Sequence, residues 1–238
     1  MKIKNLITID GPSYVGKSTI ARELSKLLGF TFVNTGHMYR SVAKYAIDMG
    51  LDSNEREKIS KIAQSIKFEY KTINGNVRTI VNGEDFTEKL HHPEIVSYSS
   101  EIAQISDLRD TLTEKQRLLA EKGKAIFEGR DLGTIVFPNA EWKFFITASL
   151  DIRALRMKKN LLQRNPDQEI SVEYLITKVS KLDDRDMNRK IAPLIQANDA
   201  LVYDNSDSPS EKQDAIVLQY YINNTDEIIV NNSILLNK

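Results

Sequence analysis

Hydrophobic and polar positions change period along this chain, and the changes separate strands from helices. Leu6-Ile7-Thr8-Ile9 is an apolar, β-branched run of strand type, and residues 20–28 then repeat apolar side chains at helical spacing. A second strand is predicted at Thr31-Phe32-Val33. It runs into Asn34-Thr35-Gly36-His37-Met38-Tyr39-Arg40, and a helix follows with Val42, Ala43, Tyr45, Ala46, Ile47 and Met49 at apolar positions. Between residues 66 and 81 the period falls to two around Asn74-Gly75, so 66–71 and 77–81 are predicted to form a hairpin, with Asn82-Gly83 as a second turn.

Further on, helices are predicted at 92–105 and 108–121. Gly123 stops the second, and Ala125-Ile126-Phe127 begins a buried strand that delivers Glu128-Gly129-Arg130-Asp131. Residues 142–147 form the next core strand. A polar helical stretch from 150 to 189 breaks near Asn165-Pro166-Asp167 and gathers Arg153, Arg156, Lys158, Lys159, Arg164, Arg185 and Arg189, which makes it a candidate lid. Leu201-Val202-Tyr203 is predicted as the last strand, 210–221 as the last helix, and 226–238 as a tail. Strands alternating with helices give an α/β chain with a parallel sheet, in which ligands bind at the carboxyl ends of the strands.

The junction after the first strand carries the sharpest chemistry. Gly11-Pro12-Ser13-Tyr14-Val15-Gly16-Lys17-Ser18-Thr19 fills each fixed position of the phosphate-binding loop Gly-x-x-x-x-Gly-Lys-Ser/Thr, between a strand and a helix as that loop requires. Glycines let backbone N–H groups face a phosphate, Lys17 adds a point charge, and the Ser18 hydroxyl is offered to Mg²⁺. A nucleoside triphosphate is therefore the expected ligand. Arg40, Arg109, Arg130 and Arg189 fall at or near element ends predicted to approach the same edge, more guanidiniums than one anion needs.

Composition narrows the partners. The chain has 238 residues with 33 basic and 33 acidic side chains, so its formal net charge is +0 and it has no global basic footprint for nucleic acid or an anionic membrane. That length suits one α/β domain with insertions. It has no cysteine, and three scattered histidines do not make a zinc site. No signal-peptide layout or membrane-length apolar run occurs, so a cytoplasmic protein is expected, and a monomer with it.

In order along most of the chain, these segments resemble the bacterial cytidylate kinase family of P-loop nucleoside monophosphate kinases. The likeness rests on Ile9-Asp10-Gly11-Pro12-Ser13 with Gly16-Lys17-Ser18-Thr19, on Thr35-Gly36 with Met38-Tyr39-Arg40, and on Gly129-Arg130-Asp131-Leu132-Gly133-Thr134-Ile135-Val136-Phe137-Pro138. Residues 183–189 with Ala192-Pro193-Leu194 extend it. The resemblance implies a P-loop NTPase-like core of five parallel strands in a single domain, 1–225. It also implies an antiparallel insertion on the monophosphate side at 66–92 and a helical lid at 156–189. The implied reaction moves a phosphoryl group from ATP to CMP or dCMP with Mg²⁺.

By the same resemblance, residues 11–19 and Arg156 hold ATP, and Lys17, Arg130, Arg185 and Arg189 are catalytic. Ser18 holds Mg²⁺ through its hydroxyl and Glu128 through water. Thr35, Tyr39, Arg40, Arg130 and Arg189 surround the CMP phosphate, Asp186 takes the sugar, and Ser100, Arg109 and Asp131 take cytosine. Base chemistry agrees with the last trio, because an acid accepts from the cytosine amine and repels O4 of uracil. Each position has a structural rival: Arg130-Asp131 as a surface ion pair, Tyr39 as helix core, Ser100 as a solvated serine. Several positions depart from the family pattern. Tyr14-Val15 replace Gly-Ala, with Tyr14 adding bulk near the phosphates or the neighbouring site, Asn34 replaces Asp, His37 replaces Ala, and Leu182 replaces Arg. A kinase of UMP or of a nucleoside, and a nucleotide-sensing module without turnover, remain as alternatives.

Overall fold

A strand inside a parallel sheet must be apolar on both faces, and β1 (Ile3–Asp10) is buried without interruption from Leu6 to Asp10. The computed structural model describes residues 2–73, 76–163, 166–207 and 211–223. β1 lies at the centre of a five-stranded parallel sheet with β2 (Thr31–Asn34), β6 (Ala125–Glu128), β7 (Ala140–Thr147) and β8 (Leu201–Asp204), in the order β2-β6-β1-β7-β8. Pairing of Ile9 with Glu128, and of Asn34 with Glu128, brings three strand ends to one edge.

Ile7, Ile9, Ile126, Phe144 and Ile146 pack against Ile20 and Leu24 of α1 (Lys17–Leu28) and Leu218 of α8 (Glu211–Asn223). A second cluster joins Leu6, Val33 and Phe127 to Leu132 and Phe137, from the segment that follows β6. Helices α2 (Thr35–Asp48), α3 (Arg56–Ser65), α4 (Pro93–Ile102) and α5 (Ser106–Ala120) share a third core, into which Phe68 and Val81 of the antiparallel unit, and Phe86 just after it, insert. That unit is β3 (Phe68–Ile73), β4 (Asn76–Val81) and β5 (Glu84–Asp85). Finally, α6 (Leu150–Leu162) and α7 (Val172–Asn188) form a hairpin closed by Ala154, Met157, Leu175 and Val179.

Several expected boundaries shift. Thr35–Arg40 is not an approach to a helix but its first two turns, because Asn34 caps α2 by accepting from the N–H of His37 at 3.2 Å. Helix α4 stops at Ile102 instead of 105, and α5 starts at Ser106, two residues early. The expected hairpin gains a third strand, and α3 is an element that the sparse apolar pattern of 56–65 did not announce. The Asn74-Gly75 turn, Arg164, Asn165, Ser210 and the tail at 226–238 lie outside the described residues.

Candidate active site

The phosphate loop leaves β1 through Gly11, whose φ of 142° is open to glycine. A Cβ there would lie 2.1 Å from the Ile146 carbonyl oxygen, so no other residue fits. Lys17 opens α1 and is 4 % exposed; its Nζ donates back to Pro12 O at 2.5 Å across the loop. Burial, with the charge of Arg130 adding to it, lowers the Lys17 ammonium to about 7. An arriving phosphate reverses that, since an anion favours the charged amine.

Ser18 Oγ donates to Glu128 Oε2 at 2.8 Å, and Thr35 Oγ1 donates to the backbone oxygen of Glu128 at 2.8 Å. The β6 exit is thereby tied to the first turns of both α1 and α2. Mg²⁺ prefers oxygen ligands, keeps several waters and is usually shared with substrate phosphates. The Ser18 hydroxyl beside the Glu128 carboxylate fits that demand. No group of three or more His, Asp or Glu among the described residues could hold a metal by itself, so a cation here would depend on nucleotide phosphates.

Arg130 crosses the cleft. Its Nη2 donates to Ser13 Oγ at 3.0 Å and its Nε to Asp186 Oδ2 at 2.8 Å, linking the loop, β6 and α7. Asp131, 7 % exposed, accepts from Arg109 Nη2, and Arg189 Nη2 stands 3.6 Å from its other oxygen. Arg109 also lies with its guanidinium 5.5 Å from the Tyr39 ring centre, and desolvation lifts the Tyr39 phenol to about 12. Arg189 Nη2 is buried and makes no hydrogen bond, while burial and the neighbouring Arg109 hold its guanidinium below the ordinary value. Two guanidiniums around one carboxylate leave a net positive charge suited to an anion.

On the far side, Arg185 Nη1 donates to Ser100 Oγ at 3.0 Å, so the α7 end reaches α4 across the site. Arg156 Nη2 donates to Asn205 O at 2.7 Å. Arg40 is half-buried on α2, one residue past Tyr39. Lys17, Ser18, Thr35, Glu128, Arg130 and Asp131 thus lie at one edge of the sheet, with Arg109 and Arg189 against Asp131, while Ser100, Arg156 and Arg185 lie on helices α4, α6 and α7.

Among the departures, Tyr14 resolves differently from the bulk expected of it. Tyr14, at a φ of 63°, packs against the α6–α7 apolar cluster, so its ring serves the contact between the loop and that helical hairpin. His37 is buried and its Nδ1 lies 2.8 Å from Thr79 Oγ1, with its ring edge-on to His91 at 5.4 Å; it keys α2 to β4. Burial keeps it well below the usual imidazole value, hence neutral. Leu182 is half-buried on α7, one turn before Asp186.

Sequence reasoning missed Asp10 and Asp183. Asp10 Oδ1 and Oδ2 accept from the N–H groups of Leu132 and Gly133 at 3.1 and 2.7 Å, holding the π-helical turn Leu132–Val136 that follows Asp131. Burial pushes its carboxyl up to about 6, against the pull of those two amides. Asp183 accepts from Arg153 Nη1 at 2.6 Å and cross-braces α6 to α7. A charged residue closing an apolar strand was the available signal for Asp10; Asp183 carried none among its acidic neighbours.

A family model described as cytidylate kinase matches residues 7–222. A cytidylate kinase of Pelotomaculum thermopropionicum is 40% identical over 207 residues, 87% of this chain and 91% of that one. One from Caldicellulosiruptor bescii is 37% identical over 90% of this chain and 94% of its own, and one from Protochlamydia amoebophila 36% over 90% and 95%. A match running from β1 to the end of α8, with relatives covered almost end to end, takes in the loop, the arginines and the helical hairpin alike, and the chain belongs to the cytidylate kinase family.

Proposed function

We propose that the protein transfers the γ-phosphoryl group of ATP to CMP or dCMP, giving ADP and CDP or dCDP. The observation that carries this is the buried Asp131 carboxylate held by Arg109, one residue from the Arg130 that touches the phosphate loop. An acid paired with an arginine matches the amine and ring acceptors of cytosine. Family membership supports the same acceptor.

Phosphoryl transfer asks for positioning and charge neutralisation rather than covalent help. Backbone N–H groups of residues 11 and 13–19 with Lys17 hold the ATP phosphates, and Arg156 serves the same nucleotide. Thr35, Tyr39 and Arg40 bound the monophosphate from α2, while Asp186 takes the sugar and Ser100 and Arg109 take the base with Asp131. Arg130, Arg185 and Arg189 bring the CMP phosphate into line and offset charge on the transferred group. Ser18, through its hydroxyl, and Glu128, through water, would hold Mg²⁺, which would supply further screening of phosphate charge. The α6–α7 hairpin excludes water that would otherwise accept the phosphoryl group.

Coupled measurement of ADP formation tests this. ADP release that requires CMP, with dCMP within about tenfold and UMP much poorer, is the expected result. ADP release with AMP or shikimate but not CMP contradicts it, and ATP binding without transfer to any acceptor would make the chain a nucleotide sensor.

A further inference from the structure

Asn205 follows β8, is fully buried, and belongs to none of the segments that carried the sequence reading. Its backbone N–H donates to Thr147 O at 2.8 Å, which fixes it at the carboxyl end of the sheet. From there its side chain enters the phosphate loop, where Nδ2 donates to Val15 O at 2.7 Å. Its Oδ1 and its backbone oxygen accept from Arg156 Nη2 at 3.4 and 2.7 Å. The approach is tight: a Cβ on Gly16 would stand 2.6 Å from Asn205 Nδ2.

We propose that Asn205 is a positioning residue for the nucleotide loop, acting on the Val15–Gly16 peptide and on Arg156 at once. This rests on the reading of residues 11–19 as the ATP site. In a trans peptide the carbonyl and the following N–H point opposite ways. Drawing the Val15 carbonyl toward Asn205 therefore turns the Gly16 N–H away from Asn205, leaving it to the phosphate. A primary amide of this length can donate to a carbonyl and accept from a guanidinium together; a carboxylate cannot donate, and a hydroxyl is too short to span both. Arg156 Nη1 is buried and has no hydrogen-bond partner, so the guanidinium that Asn205 holds keeps a donor in reserve.

Two variants separate this from ordinary packing. Asn205→Asp keeps the volume and the Arg156 contact but sets an anionic oxygen against Val15 O, whereas Asn205→Ala removes both contacts without adding charge. Mg·ATP binding by calorimetry, Michaelis constants for ATP and CMP, and the thermal midpoint are measured on both. Expected are ATP dissociation and Michaelis constants raised about tenfold in Asn205→Asp and about threefold in Asn205→Ala, with the CMP constant within about twofold of wild type. Unchanged ATP constants, equal changes for ATP and CMP, or loss of folded structure in both variants would overturn the proposal and leave Asn205 a packing residue. If the wild-type chain binds Mg·ATP but transfers nothing to CMP, the kinase reading fails, and the binding constants still decide the role of Asn205.

Discussion

Arg130 Nε donates to Asp186 Oδ2 at 2.8 Å, joining the exit of β6 to the last turn of α7 across 56 residues of sequence. Both partners are largely buried, at 26 % and 18 % side-chain exposure, so the pair holds its geometry against solvent. Arg130→Ala should lower kcat by about 100-fold or more if, as proposed, the guanidinium acts on charge that develops in transfer. Asp186→Ala should mainly raise the Michaelis constant for CMP. In a double-mutant cycle the two effects should fall short of additivity by about 1–3 kcal/mol. Strict additivity would mean that the two side chains act independently.

Burial, with the charge of Arg130, lowers the Lys17 ammonium to about 7, against 10.5 when free. Between those values the unfolded chain binds more protons than the folded one, so stability without nucleotide should rise with pH from about 7 to 10.5. ATP bound against Lys17 should return the charge to the amine. At pH near 8, binding should therefore take up protons, seen as a calorimetric heat that depends on the ionisation enthalpy of the buffer, and Lys17→Met should abolish the uptake. Lys17→Ala should cost about two orders of magnitude in turnover with the fold intact. A wild-type heat independent of buffer would show that Lys17 is already charged before ATP arrives.

What the sequence disclosed was local, and what it hid was long-range. Residues 11–19 state their conformation and chemistry within nine positions, so the loop, its strand and its helix were legible. So was the junction at Glu128 to Asp131, since a charged run that ends an apolar strand can lie only at the sheet edge. The partners of those residues were not legible. Asp10 finds Gly133 across 123 positions and Asn205 finds Val15 across 190, and no spacing rule encodes either. Helix α3 escaped notice because it buries only Ile59, Ser60 and Ala63, too few for a clear period. Tyr14 read only as added bulk because its left-handed backbone and its packing against α6 and α7 are properties of the folded loop.

Asp10 gives a prediction about stability. Asp10→Ala leaves the N–H groups of Leu132 and Gly133 buried without an acceptor. Two such losses cost about 2–4 kcal/mol, which in a chain of this size lowers the thermal midpoint by roughly 5–15 °C. The turn it releases carries Asp131 at its start, so CMP affinity should fall as well. An unchanged midpoint would mean that water replaces the carboxylate.

Base choice tests Asp131. Asp131→Asn should reduce CMP turnover far more than UMP turnover, narrowing the ratio between them, because an amide can turn its donor toward O4 of uracil. Arg109, 4 % exposed, also loses its counter-charge, so some loss of stability should accompany the change. Equal losses for both substrates would assign Asp131 to the framework of the site and not to reading the base.

The most direct measurement is to supply Mg²⁺ and γ-labelled ATP with an equimolar mixture of CMP, dCMP, UMP and AMP, and to follow where the label goes. The arrangement of Lys17, Arg130, Asp131 and Arg189 predicts label in CDP and dCDP well ahead of UDP, with little in ADP or free phosphate. Label released mainly as inorganic phosphate, or delivered to UMP or AMP in preference to CMP, would contradict it.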